Sequence, residues 1–194
     1  TAQVQVRHAR VGTLPVEQVA LEVSYKGAEG QVLFATEVVQ SAKSGGRAGG
    51  TLTRDAAGQQ VVLEEFQVRL PDRTWHAAAP LQMVFGPQRL DFIQIRVVHD
   101  NESIELSGTM HGEELQNIQL HAAQIDLSYL QQLLHLPDII GGRATFQMQL
   151  AGTRAEPRFE SELTVQAATS QRLPFTQFYN TLAYAQRQLQ STGR

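Results

Sequence analysis

The chain has 194 residues, 42% hydrophobic and 18% charged, with a formal net charge of −3 and no cysteine. Ordinary apolar content excludes wholesale disorder, the lack of a basic stripe excludes a nucleic-acid binder, and the missing thiols remove disulfides, thiolate metal sites and cysteine nucleophiles. No run of about 18 apolar residues is present, so no segment reads as a membrane-spanning helix.

The sequence opens at Thr1, with neither a methionine nor a signal peptide, inside an alternating stretch marked by Val4 and Val6. It is expected to be a fragment of a longer protein whose targeting signals lie outside it. Val19, Leu21, Val23 and Tyr25 alternate up to Gly27-Ala28-Glu29-Gly30, and Val32 and Phe34 resume beyond, the pattern of a hairpin. The run Ser44-Gly45-Gly46-Arg47-Ala48-Gly49-Gly50 predicts a flexible loop tip or a weak strand edge, and Asp55 to Gly58 another turn. Val61 to Leu70 is strongly apolar, but its alternation slips at Glu64-Glu65, which predicts a bulge or a change of face. Trp75 reads as a core or groove-wall residue; it precedes Leu81, Met83 and Phe85, and Gly86-Pro87 then turns the chain. Leu90 to Val98, the turn Asp100-Asn101, then Ile104 and Leu106, then Ile118 and Leu120, continue the series. Turns every 10 to 14 residues or so are the signature of an antiparallel all-β meander.

One segment departs from this. DLSYLQQLLHLP sets Leu127, Leu130, Leu133 and Leu134 at helical spacing, with Asp126 as N-cap and Pro137 as stop, and predicts a short helix over 126–136. Beyond it, GGRATFQMQLAGTRAEPRFESELTVQAA reads as two strands and a polar turn. Ala144, Phe146, Met148 and Leu150 alternate with Thr145, Gln147 and Gln149. Phe159, Leu163 and Val165 alternate with Glu160, Glu162 and Thr164, with Ser161 as a polar interruption. Such alternation makes one face oily and the other wet. In the tail, Phe175, Phe178, Tyr179, Leu182 and Leu189 favour a helix, although 184–191 also fits a strand.

No reaction motif is present: no HExxH, GxSxG, Walker loop or GxGxxG. GGRAGG lacks the lysine and helix of a phosphate cradle. His111, Glu113 and Glu114 share a turn and read as solvated, not metal-binding. Glu160 and Glu162 could be the carboxylate pair of a carbohydrate-active enzyme, but the wet side of their strand explains them more economically. No enzyme activity, cofactor or metal is expected.

IELSGT, beginning at Ile104, and MQLAGT, beginning at Met148, form a faint repeat, each followed by a polar turn and an alternating strand. Together with Pro157, with Trp75 and Pro80, and with DLSYLQQLL ahead of Gly141-Gly142, this texture resembles the TamB and AsmA-like family of bacterial envelope proteins over residues 60 to 170. The resemblance implies a long protein anchored in the inner membrane and extended across the periplasm. Its sheets would curl into an open apolar groove (a β-taco) that moves phospholipid toward the outer membrane. It also implies neighbouring repeats of the same chain as partners, and an outer-membrane barrel-assembly protein linked to autotransporter export. Residues 1–194 would be one β-rich segment of that array.

On this reading Ile104, Leu106, Ile118, Leu120, Phe146, Met148, Leu150, Phe159, Leu163 and Val165 line the groove and contact phospholipid acyl chains. Exposing a 16-carbon chain to water costs about 12 kcal/mol at about 0.8 kcal/mol per methylene, so a conduit must supply an apolar wall. A strand of about 8 residues spans about 26 Å, room to curl around such a chain. Two alternatives stand: a closed β-sandwich whose oily faces meet, and a scaffold that accepts an unfolded strand at an open edge by β-augmentation.

Overall fold

The computed structural model describes residues 1–11, 14–26, 30–54, 58–133, 140–170, 177–185 and 188–193. Its described elements are antiparallel strands and one short helix, the all-β architecture expected from the turn spacing. The chain divides into two compact units, Thr1–His99 and Asp100–Arg194.

The first unit contains β1 (Ala2–Val11), β2 (Leu14–Lys26), β3 (Gln31–Ser41), β4 (Ser44–Arg54), β5 (Gln59–Leu70), β6 (Arg73–Ala77), β7 (Leu81–Gly86) and β8 (Arg89–His99). Strands β1 to β5 pair in chain order. Strand β5 then serves two partners: Gln59–Leu63 pair with β7, and Gln67–Leu70 pair with β6. Strand β8 pairs with both of these in turn, so β6 and β7 share one lane of the sheet.

The slip anticipated at Glu64-Glu65 is a bulge. Gly50 faces Leu63 and Gly49 faces Glu65, so Glu64 is the extra residue. Its consequence is a matter of parity. Residues 63 and 66 would fall on opposite faces of a regular strand, but the added residue returns Phe66 and Val68 to the face of Val61 and Leu63. Trp75, opposite Val68, lies on that face, with its ring 5.9 Å from that of His99.

Two expectations are corrected by pairing. Residues 44–50 are neither a loop tip nor an edge, but the first part of β4, hydrogen-bonded to β3 on one side and β5 on the other. Glycine is a poor strand former in isolation, yet two flanking ladders satisfy its backbone and override the local preference. The tail is likewise not helical where described. It forms β13 (Gln177–Ala185) and β14 (Gln188–Gly193), paired to each other and, through β13, to β12. Phe175 and the turn residues 27–29 and 55–57 lie outside the described residues.

The second unit runs β9 (Glu102–His111), β10 (Glu114–Asp126), α1 (Leu127–Leu133), β11 (Ile140–Thr153), β12 (Pro157–Ser170), β13 and β14. Every strand pairs with its neighbour in sequence. The helix is capped as expected: Asp126 Oδ1 accepts from the backbone N–H of Ser128 at 3.0 Å and of Tyr129 at 3.4 Å. Residues 134–136 of the anticipated helix lie outside the described residues.

Among the described residues, the buried apolar side chains are Val16, Leu81, Ile125, Ala144 and Val165, and none is less than 2% exposed.

Candidate functional site

The register of β9 to β13 builds one face row by row. Ala144 lies opposite Ile125 and Val165. Phe146 lies opposite Ala122 and Leu163, and Ala122 in turn faces Ile104. Met148 lies opposite Leu120 and Ser161, and Leu120 faces Leu106. Leu150 lies opposite Ile118 and Phe159, and Phe159 faces Tyr184 with the rings stacked at 5.5 Å. Directly opposed residues point to the same side of a sheet. All ten residues expected to line a groove therefore share one face.

That face is apolar but not sealed. Nine of the ten are half-buried, and only Val165, at 5% exposure, is buried. Burial is concentrated at the end where Leu127 of α1 packs against Ala144 and Val165. Ser161, the polar interruption, is buried without being stranded: its hydroxyl reaches the Leu182 carbonyl at 3.5 Å.

Beyond Leu150 the face ends in a further row, Met110, Leu115, Gly152 and Pro157. There the turn between β11 and β12 is pinned. The Arg154 N–H donates to the Glu113 carbonyl at 2.8 Å, the Glu156 N–H donates to Thr153 Oγ1 at 3.0 Å, and Arg154 Nη2 meets Met110 Sδ at 3.4 Å.

Some members of the face were not expected from the sequence. Ala122 continues the parity of Ile118 and Leu120, whereas Leu115 and Ile125 are out of step with them. Register shifts between Leu115 and Ile118 and between Ala122 and Ile125, at Asn117 and Gln124 with φ of 48° and 58°, bring them into line. The signal was present: two breaks in the alternation of β10, each followed by apolar residues of the other parity. Leu182 and Tyr184 were obscured by the helical periodicity of the tail.

The opposite face is wet. Glu105, His121, Gln147, Glu162 and Thr181 form one cross-strand row, and Gln119, Gln149 and Glu160 belong to the next. A concavity of about 580 Å³ opens on this polar side. Glu160 and Glu162 are exposed, as expected for the solvated side of their strand. No group of three metal-ligating side chains occurs among the described residues, His111, Glu113 and Glu114 included. No described helix is long and apolar enough to cross a membrane.

Compared with known proteins, the chain matches no family model, no curated protein and no solved structure.

Proposed function

We propose that the chain is a periplasmic segment of a TamB- or AsmA-like conduit, in which the apolar face of β9 to β13 holds phospholipid acyl chains on their way between the inner and outer membranes. One observation supports the reading. The ten apolar residues from Ile104 to Val165 form a continuous face that is half-buried instead of enclosed. A soluble protein rarely exposes a large contiguous apolar patch without a partner for it, and an acyl chain gains about 0.8 kcal/mol per methylene on leaving water. The role is non-catalytic, with the curling of the sheet into a groove as part of the proposal.

A second reading, a scaffold that receives an outer-membrane protein strand by β-augmentation, is favoured by β14, whose six residues are all exposed and whose only described partner is β13.

Native mass spectrometry of the purified chain separates the two. Phospholipid carried through purification is the expected result; lipid-free protein that instead captures an extended peptide at β14 would replace the conduit with the scaffold.

A further inference from the structure

The two ends of the apolar face differ chemically. At one end, Leu127 packs on Ala144 and Val165, and Ile125 completes a buried row. Helix α1 covers the face at that end through Leu127. At the other end Arg154 Nη2 meets Met110 Sδ, and the Arg154 backbone N–H is held by the Glu113 carbonyl. Its side chain is exposed and, among the described residues, takes part in no ion pair. Between these ends the rows led by Phe146, Met148 and Leu150 contain no charged side chain on this face.

We infer that this face is an oriented site for one phospholipid, with its phosphate paired to the Arg154 guanidinium and its acyl tail ending at Leu127. The inference rests on the acyl-chain reading above and assigns it a direction and a length. From Ala144 to Leu150 the strand advances six residues, about 20 Å at about 3.3 Å each. An extended chain rises about 1.25 Å per methylene from its bond geometry, so about 16 carbons fill that distance. Two further residues bring the strand to Gly152, adding about 7 Å, the room a glycerol and its phosphate need. A guanidinium offers several N–H donors in a fixed fork and pairs well with phosphate oxygens. The charge therefore sits where an amphiphile of ordinary membrane length would place its headgroup.

The test uses the whole chain and two single-chain probes with a photoreactive group at the tail terminus: lysophosphatidylglycerol and the matching monoacylglycerol, each with 12 to 20 carbons. In the unaltered protein, tail crosslinks are expected at Leu127 and Ala144, and the phosphorylated probe should bind more tightly than the neutral one, with an optimum near 16 carbons. Arg154→Gln should weaken the phosphorylated probe 3- to 10-fold and leave the neutral one unchanged. Free inorganic phosphate should not displace either. Leu127→Ala should shift the optimum to longer chains. Tail crosslinks spread evenly along the face, or an Arg154→Gln protein that still prefers phosphate, would overturn the orientation while leaving acyl binding intact. Failure to bind either probe would overturn both readings.

Discussion

Met148 and Gln149 are neighbours in β11 with opposite surroundings. Met148 lies between Leu120 and Ser161 on the apolar face, whereas Gln149 lies between Gln119 and Glu160 on the wet one. Arginine at Met148 places a charge where an acyl chain would run. Because that face is half-open, the long side chain can carry its guanidinium to water, so Met148→Arg should cost about 1–3 kcal/mol of stability while abolishing lipid crosslinking. Gln149→Arg should stay within about 0.5 kcal/mol of the parent and retain lipid. Thermal melting and photocrosslinking of the two variants check this, and equal tolerance at both positions would reverse the assignment of faces. Single residues also explain the faint repeat. Gly108 and Gly152 occupy the same place in IELSGT and MQLAGT and have φ of 128° and 94°. A Cβ at Gly108 would lie 2.5 Å from Ile118 Cα, beside the β10 bulge. The glycine was visible in the sequence; the bulge that requires it was not, because a bulge is a property of two strands.

At the scale of the element, the β5 bulge is the sharpest case of local sequence setting long-range geometry. Deleting Glu64 should remove the bulge and leave parity intact: Leu63 stays opposite Gly50 and Leu81, Glu65 opposite Gly49, and Phe66 and Val68 keep the face they share with Leu63. Glu64 is itself exposed, so stability should change by no more than about 1 kcal/mol. Trp75, opposite Val68, should keep its emission maximum. A red-shifted emission with a large loss of stability would mean that Glu64 is not the extra residue of the strand. Elements were legible where one signal dominated. Asp126 followed by leucines at helical spacing gave α1 with its cap, and period-two runs gave β11 and β12. They were illegible where pairing outweighs propensity. Residues 44–50 look like a loop because glycine carries no side chain to pattern, and only their two ladders make them a strand. The spacing of Phe178, Leu182 and Leu189 satisfies a helix as well as a strand, and pairing with β12 and β14 decides it. The candidate face was legible to the same extent: alternation identified its members in β11 and β12, but not those displaced by the β10 bulges.

Across the whole molecule, the outermost strands leave hydrogen-bonding groups available. Strand β1 pairs only with β2 and β14 only with β13 among the described residues. Val4 and Val6 in β1 are 54% and 45% exposed, and Leu189 in β14 is 62% exposed. Neither strand contains proline or lysine, the usual guards of an edge. The purified chain should therefore self-associate as its concentration rises, and Val6→Lys should reduce the effect. Sedimentation velocity over a hundredfold concentration range checks both, and a strict monomer throughout would contradict the expectation.

The strand order in Asp100–Arg194 also has a kinetic consequence. Each new strand docks on the one made just before it, so the chain need never wait for a distant partner, and every step closes only a short loop, at a modest entropic cost. Structure can then be acquired hairpin by hairpin from the N-terminal side, each completed pair serving as the template for the next. Thr1–His99 follows the same course through β5, where it must pause: the second half of β5 pairs with β6, but the first half remains open until β7 arrives. Glu64 stands at that divide, making the bulge a stop in time as well as a turn in space.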